Sequence, residues 1–171
     1  MDLGLLVLRV VAGFAFAAHG AQKLFGWFGG HGLSGTGAHL ESLGFHPGRR
    51  AALAAGLAEA AGGLLLAFGA AMPLGAALIV GVMLVAIACV HWGHGFFAQN
   101  GGYELPLMYS IVALSLVLVG PGGISVDALV GREYSGLAWA IASLVVGCAG
   151  AVVELVGRHH EPKVETGVKP A

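Results

Sequence analysis

Residues 51–103 read AALAAGLAEAAGGLLLAFGAAMPLGAALIVGVMLVAIACVHWGHGFFAQNGGY, and Glu59 is the one acidic or basic residue among them, histidines aside. A transmembrane helix needs roughly 20 apolar residues, so this stretch is long enough for two. Pro73 predicts a tight turn between them. A carboxylate inside a membrane helix is costly and usually pairs with another group or lines a functional cavity. The stretch therefore predicts an integral membrane protein in which Glu59 is a candidate functional residue.

The composition of the whole chain supports a membrane protein. The 171 residues are 57% hydrophobic and 10% charged, whereas soluble domains contain about 25% charged residues. The 30 glycines lie among Ala, Leu and Val, as in closely packed membrane helices. The net charge of −1, with no basic run, argues against nucleic acid as a partner. Cys89 and Cys148 form no CxxC motif, which disfavours a thiol-relay enzyme.

Five apolar segments are predicted to span the membrane, at about residues 3–24, 51–71, 74–92, 104–119 and 137–156. The first two are joined by a long loop, residues 26–48, in which Thr36 is predicted to cap a short helix that runs to about Leu43. The predicted organisation is a four-helix membrane domain over residues 1–127, an extra transmembrane helix within 128–157 and a disordered polar tail at 158–171.

The distribution of Lys and Arg predicts the orientation. With five spans, the first loop, the third loop and the tail share one side of the membrane, and the other side has Arg132 alone. The positive-inside rule then places loop 26–48 and the tail in the cytoplasm, with the chain in the cell (inner) membrane. The basic residues on the cytoplasmic side are Lys23, Arg49, Arg50, Arg158, Lys163 and Lys169.

Two charged residues lie deep inside predicted spans. With a rise of about 1.5 Å per residue, Arg9 is about 9 Å from one membrane face and Glu59 about 12 Å from the other. Because an extended Arg side chain can bridge the remaining difference in depth, we predict an intramembrane ion pair between Arg9 and Glu59. The pair could fix the packing of two helices or take part in proton movement. If Arg9 and Glu59 are not partners, Glu59 is expected opposite Lys23 or one of the interfacial histidines. Glu59 shares its helix face with small residues that allow close approach of another helix, namely Ala52, Ala55, Gly56 and Gly63.

A second set of polar residues is predicted at the membrane interface next to loop 26–48. The first, third and fourth spans bring to this interface His19, Lys23, His91, His94, Tyr103 and Glu104. Histidine titrates near neutral pH, so we assign proton handling to His19, His91 and Glu104. Binding of a quinone or another polar headgroup is assigned to Lys23, His94 and Tyr103. The alternative is that these are ordinary interfacial residues that anchor the helices.

Other cofactors have less support from the sequence. No HExxH motif or cysteine cluster predicts a metal site. Two histidines could ligate a haem in a helical bundle, but nothing in the sequence selects that use.

Several motifs resemble the DoxX family of small integral membrane proteins. They are Leu8-Arg9, HGAQKLFGWFGG at residues 19–30, Gly35-Thr36, GLAEAAGG at residues 56–63, His91, Gly95-Phe96-Phe97 and GGYE at residues 101–104. The resemblance covers about residues 3–127 and implies a four-helix membrane bundle, to which the fifth span and the tail are additions. It also implies a link to redox systems, among them quinone-linked, sulfur-oxidising and oxidative-stress systems. The family-typical polar positions fall on Arg9, His19, Lys23, Glu59, His91 and Glu104.

Three functions are compatible with these features. The first is a membrane subunit of a redox system, with quinone as the candidate cofactor. The chain has no flavin, nucleotide or iron–sulfur motif, so its electrons would come from a soluble or membrane partner protein. The second is a non-catalytic scaffold or assembly factor that docks soluble enzymes, as a monomer or a homo-oligomer. A transporter ranks third, because no two-fold internal repeat is visible.

Overall fold

The computed structural model describes residues 2–158, and these residues are helical with no β-strand. The predicted tail therefore lies outside the described residues, apart from Arg158. Seven α-helices follow one another along residues 2–158. They are α1 (Asp2–Phe25), α2 (Gly32–Ser42), α3 (Gly48–Phe68), α4 (Met72–Ala86), α5 (Glu104–Val119), α6 (Val126–Leu129) and α7 (Leu137–Val156).

Among the described residues, four helical segments are long and apolar enough to cross a membrane, and this confirms the prediction of an all-α membrane fold. They are α1, α3, α7 and the continuous segment Met72–His94, which contains α4. Helix α5 is apolar but shorter, with 16 residues. It nevertheless packs within the bundle, because Ala113, Leu116 and Val117 are almost completely buried.

Glycines bring α1 and α3 together in the most extensive helix–helix contact of the described residues. A Cβ atom on Gly13 would lie 2.5 Å from the backbone oxygen of Gly63, and one on Gly20 would lie 2.5 Å from the backbone nitrogen of Ala60. Such distances leave no room for a side chain, so the two helices touch through their backbones. The predicted small-residue face of α3 is the face used, since Gly56 and Gly63 are both buried.

The hydrophobic core lies between α1, α3, α4 and α5. Its centre is formed by Phe16 of α1, Leu66 of α3, Ile79 of α4 and Leu116 of α5, each at most 2% exposed. Helix α7 packs on the outer side of α4, where a Cβ atom on Gly147 would lie 2.9 Å from the backbone oxygen of Ala77. Helix α7 also contributes Ala140, which is 6% exposed, to the buried core cluster.

Helix α2 begins earlier than the sequence suggested. The prediction that Thr36 caps this helix is wrong, because α2 starts at Gly32 and Thr36 lies inside it. The amide of Gly35 donates to the carbonyl of His31, so backbone groups close the first turn without a side-chain cap.

The end of the α4 segment departs from α-helical geometry. Residues Ile87–His91 form a π-helix, and Trp92–His94 form a 3₁₀-helix. π-Helical turns are rare and occur frequently at functional sites. This one ends at His91, the first of the two predicted interfacial residues of the third span, and precedes the second, His94.

Candidate functional site

Glu59 forms an ion pair with Lys23. The Lys23 Nζ and Glu59 Oε2 atoms are 2.5 Å apart. The Glu59 side chain is 3% exposed and that of Lys23 is 30% exposed. Lys23 lies in the last turn of α1, while Glu59 lies midway along the antiparallel α3. The lysine stem can therefore extend along the helix and leave part of the ammonium accessible at the interface.

The predicted Arg9–Glu59 ion pair is not formed. The Arg9 guanidinium donates instead to the backbone carbonyls of Pro121 and Ile124, the latter over 2.6 Å. Both carbonyls belong to the loop after α5, which folds back over the opposite end of the bundle from Lys23. The prediction failed because helical rise gives the depth of Arg9 but does not show that a distant loop returns to meet it.

Asp127 is a buried carboxylate that the sequence analysis missed. It is 3% exposed and accepts hydrogen bonds from the amides of Ala71 (2.8 Å) and Met72 (3.2 Å), at the start of α4. Arg9 holds the loop after α5 to α1, and Asp127 holds α6 to the turn between α3 and α4, so both residues have a structural role. The sequence offered one signal for this helix, namely Ser125. Its hydroxyl caps α6, and Asp127 lies in the first turn of that helix.

His19 is joined to the loop that follows α1. Its Nδ1 atom lies 3.1 Å from Oε1 of Gln22, and Gln22 Nε2 donates to the carbonyl of Phe28 over 3.2 Å. The backbone of Phe28 has a φ of 53°, which is a left-handed conformation that residues other than glycine rarely adopt. The His19 ring also lies 5.9 Å from the Tyr109 ring of α5. We call His19, Gln22, Lys23 and Glu59 the α1 cluster.

The remaining predicted residues cluster between α4 and α5. His91 Nδ1 lies 2.6 Å from the carbonyl oxygen of Gly101, and His94 Nδ1 lies 3.0 Å from that of Val90. Glu104 Oε2 accepts from the amide of Ala98 over 2.8 Å. The Tyr103 ring stacks on Trp92, with 5.5 Å between centroids. We call His91, His94, Tyr103 and Glu104 the α4–α5 cluster.

The two clusters lie at the same end of the bundle, where α1 ends, α3 begins and the α4 segment meets α5. Within residues 2–158, no hydrogen bond or ion pair joins a member of one cluster to a member of the other. Tyr109 of α5 lies beside the α1 cluster, since its ring is 5.9 Å from that of His19 and 5.1 Å from that of Phe16. Tyr109 was not predicted, although it lies on α5 in the second turn after Glu104.

The described part of the chain contains no group of three His, Cys, Asp or Glu side chains that could hold a metal ion. The polar groups of the two clusters are three imidazoles, one ammonium, one amide, one phenol and two carboxylates. Such a set can bind a carbonyl-bearing or anionic headgroup and exchange protons with it.

Comparison with known proteins gives a family but no described activity. The family model for DoxX matches residues 4–92, just over half of the chain. An uncharacterized protein from Haemophilus influenzae is 32% identical over 59 residues, which are 33% of this chain and 39% of that protein. The chain thus matches about two fifths of the length of that curated relative. No solved structure matches the chain.

Proposed function

The chain belongs to the DoxX family, and from this premise we propose that it is an integral membrane subunit of a redox system. Its site would be formed by the α1 cluster and the α4–α5 cluster, at one interface of the membrane. The main support is the ion pair between Lys23 and the buried Glu59, 2.5 Å apart. Ionisable residues inside membrane segments are rare and mark functional pathways more often than they serve packing alone.

The substrate proposed for this site is a quinone. Reduction of a quinone to a quinol consumes two electrons and two protons. The electrons would come from a partner protein, since the sequence has no motif for a flavin, a nucleotide or an iron–sulfur cluster. His19, His91 and Glu104 would supply and relay the protons, and the part-exposed Lys23 would bind a quinone oxygen. His94 and Tyr103 would border the headgroup.

The proposed location is the cell (inner) membrane, with loop 26–48 and the C-terminal tail in the cytoplasm. Among the described residues, the α2 end of the bundle carries Lys23, Arg49, Arg50 and Arg158, whereas the loop between α5 and α7 carries Arg132. This asymmetry supports a cytoplasmic site under the positive-inside rule. We also propose that residues 1–127 form the DoxX unit and that α7 is a separate addition.

The test uses the full chain, purified together with the soluble proteins encoded by neighbouring genes. We expect quinone to co-purify and the complex to reduce it. His19→Ala and Glu104→Gln should each lower the rate by about 10²-fold if these residues transfer protons. Arg50→Ala, at an exposed position at the same end, is the control. A complex that neither holds nor reduces quinone would overturn the proposal.

One observation favours the scaffold function as a second candidate. In the α4–α5 cluster, the rings of His91 and His94 and the carboxylate of Glu104 each contact a backbone group of the chain nearby. Groups that stabilise a loop in this way can be structural throughout. If the variants leave activity intact, and changes in loop 26–48 lower the recovery of partner proteins, the scaffold function is favoured.

A further inference from the structure

A groove of about 360 Å³ runs along the outside of the core, between α3 and α7, with α4 as its floor. None of the residues of the α1 cluster or the α4–α5 cluster lines it. We propose that this groove binds one acyl chain of a phospholipid that carries an amine headgroup, such as phosphatidylethanolamine.

The walls of the groove suit a flexible alkyl chain. They are made largely of alanine and glycine from three helices, including Ala54 and Ala58 of α3, Gly81 of α4 and Gly150 of α7. Because these side chains are small, an acyl chain in the groove can lie close to the helix backbones. Inside a membrane such close packing supplies the binding energy, because lipid and protein side chains are equally apolar.

The groove runs along most of the bundle. On α4 its lining extends from Leu74, beside the turn between α3 and α4, to Val85, a distance of about 16 Å at the helical rise. At the α2 end it continues to Phe45 and Glu154. A headgroup bound to this groove therefore meets charged side chains at the α2 end.

The α2 end of the groove is closed by Leu40 of α2 and by Phe45 in the following loop. Arg158 holds this closure in place, because it donates to the carbonyl of Leu43 and lies over the Phe45 ring. A helix from another chain would have to continue through the interface at this point and would meet α2. An acyl chain ends there at its headgroup, so the closure favours a lipid over a helix.

The charges at the closed end match an amine headgroup. Glu154 lines the groove, and its side chain is exposed in the last turn of α7, where the helix dipole disfavours a negative charge. No described residue forms an ion pair with it. An ammonium group would compensate this carboxylate, and Arg158, one turn further on, offers a positive charge to the adjoining phosphate.

The test measures lipids retained by the full chain in native mass spectrometry, after incubation with palmitoyl-oleoyl phosphatidylethanolamine or the corresponding phosphatidylglycerol. We expect one phosphatidylethanolamine per chain, retained about threefold better than phosphatidylglycerol, as for a part-exposed ion pair. Glu154→Gln should abolish this preference while the lipid itself is still retained. Glu133→Gln, in the loop before α7, is the control for loss of a carboxylate.

A second set of variants tests the groove itself. A Cβ atom on Gly150 meets nothing within 4 Å, so Gly150→Leu fills the groove without a backbone clash and should reduce lipid retention several-fold. Ala54→Leu narrows the groove from the α3 side and should also reduce lipid retention several-fold. It serves as the test if Gly150→Leu does not fold. Ala149→Leu, at an exposed neighbouring position outside the groove, should retain lipid like the native chain.

Three results would overturn the proposal. The first is retention that neither filling variant reduces. The second is a dimer in place of bound lipid, lost on Gly150→Leu, which would make a second copy the occupant. The third is displacement of phosphatidylethanolamine by an added isoprenoid quinone at equal concentration, which would assign the groove to a quinone tail.

Discussion

Lys23 and Glu59 differ in how far each side chain reaches water, and this decides the effect of losing either partner. Glu59 is 3% exposed, so Lys23→Met leaves a carboxylate that the solvent cannot reach. We expect that variant to lose about 3 kcal/mol of stability, the lower end of the range for an orphaned buried charge. Glu59→Gln should lose less, because Lys23 is 30% exposed and can turn towards the interface.

The measurement is thermal unfolding of the purified chain in detergent, with Arg50→Met as the control for loss of an exposed cation. The double variant Lys23→Met, Glu59→Gln should be more stable than Lys23→Met alone. Equal losses from both single variants would contradict the argument from exposure.

Arg9 gives a second prediction, because it belongs to a different network from Glu59. Arg9 bonds to Pro121 and Ile124 at one end of the bundle, and Glu59 bonds to Lys23 towards the other. Substitutions at sites that share no partner usually add to within about 0.5 kcal/mol. The losses from Arg9→Leu and Glu59→Leu should therefore add in the double variant.

The same unfolding assay checks this, and Arg9→Lys serves as the matched control because it keeps the charge but loses the fork of donors that reaches two carbonyls. Recovery of stability in the double variant would mean that Arg9 and Glu59 are coupled after all.

The sequence identified Arg9, Lys23 and Glu59 as the important charges but did not pair them correctly. Burial of charge follows from local hydropathy, which a sequence displays directly. Pairing depends on the path of the loop after α5 and on the reach of a lysine stem, and neither is encoded in the spacing of residues within a helix. Asp127 was missed for a related reason, since its partners Ala71 and Met72 lie 56 and 55 residues away.

At the scale of the helices, the contact between α1 and α3 predicts a sharp difference between two glycines of α1. A Cβ atom on Gly13 would lie 2.5 Å from backbone atoms of α3, whereas one on Gly4 would meet nothing within 4 Å. Gly13→Ala must push the helices apart and should lose about 1–3 kcal/mol. Gly4→Ala should be neutral or stabilising, because alanine favours the helix by up to about 1 kcal/mol over glycine.

Unfolding in detergent, with the yield of folded protein in the membrane as a second reading, separates the two variants. If Gly13→Ala and Gly4→Ala had equal stability, the contact between α1 and α3 would accommodate a methyl group without loss of stability.

The helices themselves were the most predictable part of the molecule, since runs of apolar residues mark α3 and α7 unambiguously. The start of α2 was not predictable, because its first turn is closed by a backbone hydrogen bond to His31 and not by a capping side chain. The π-helix at Ile87–His91 had no sequence signal either. Such a turn depends on tertiary contacts around the helix end, so the local sequence does not specify it.

At the scale of the whole molecule, the number of crossings determines which side of the membrane each loop faces. Loop 26–48 follows one helix, so its side depends on α1 alone. The loop between α5 and α7 follows α5, whose 16 residues rise about 24 Å, less than a hydrocarbon core of about 30 Å. The side of the membrane on which the loop between α5 and α7 lies therefore tests whether α5 crosses the membrane.

Single cysteines at Ser34 in α2 and at Ser135 before α7, both exposed positions, can report these two sides in a chain whose Cys89 and Cys148 are changed to alanine. A maleimide that cannot cross membranes, applied to intact cells, should label Ser135→Cys and leave Ser34→Cys unlabelled until the cells are opened. The positive-inside rule requires this result, given Lys23, Arg49 and Arg50 at the α2 end. Labelling of Ser34→Cys in intact cells would reverse the orientation and place the proposed site outside. If both positions stay unlabelled until the cells are opened, the loop after α5 lies on the same side as α2, which would contradict the bonds that join Pro121 and Ile124 to Arg9 at the opposite end of the bundle.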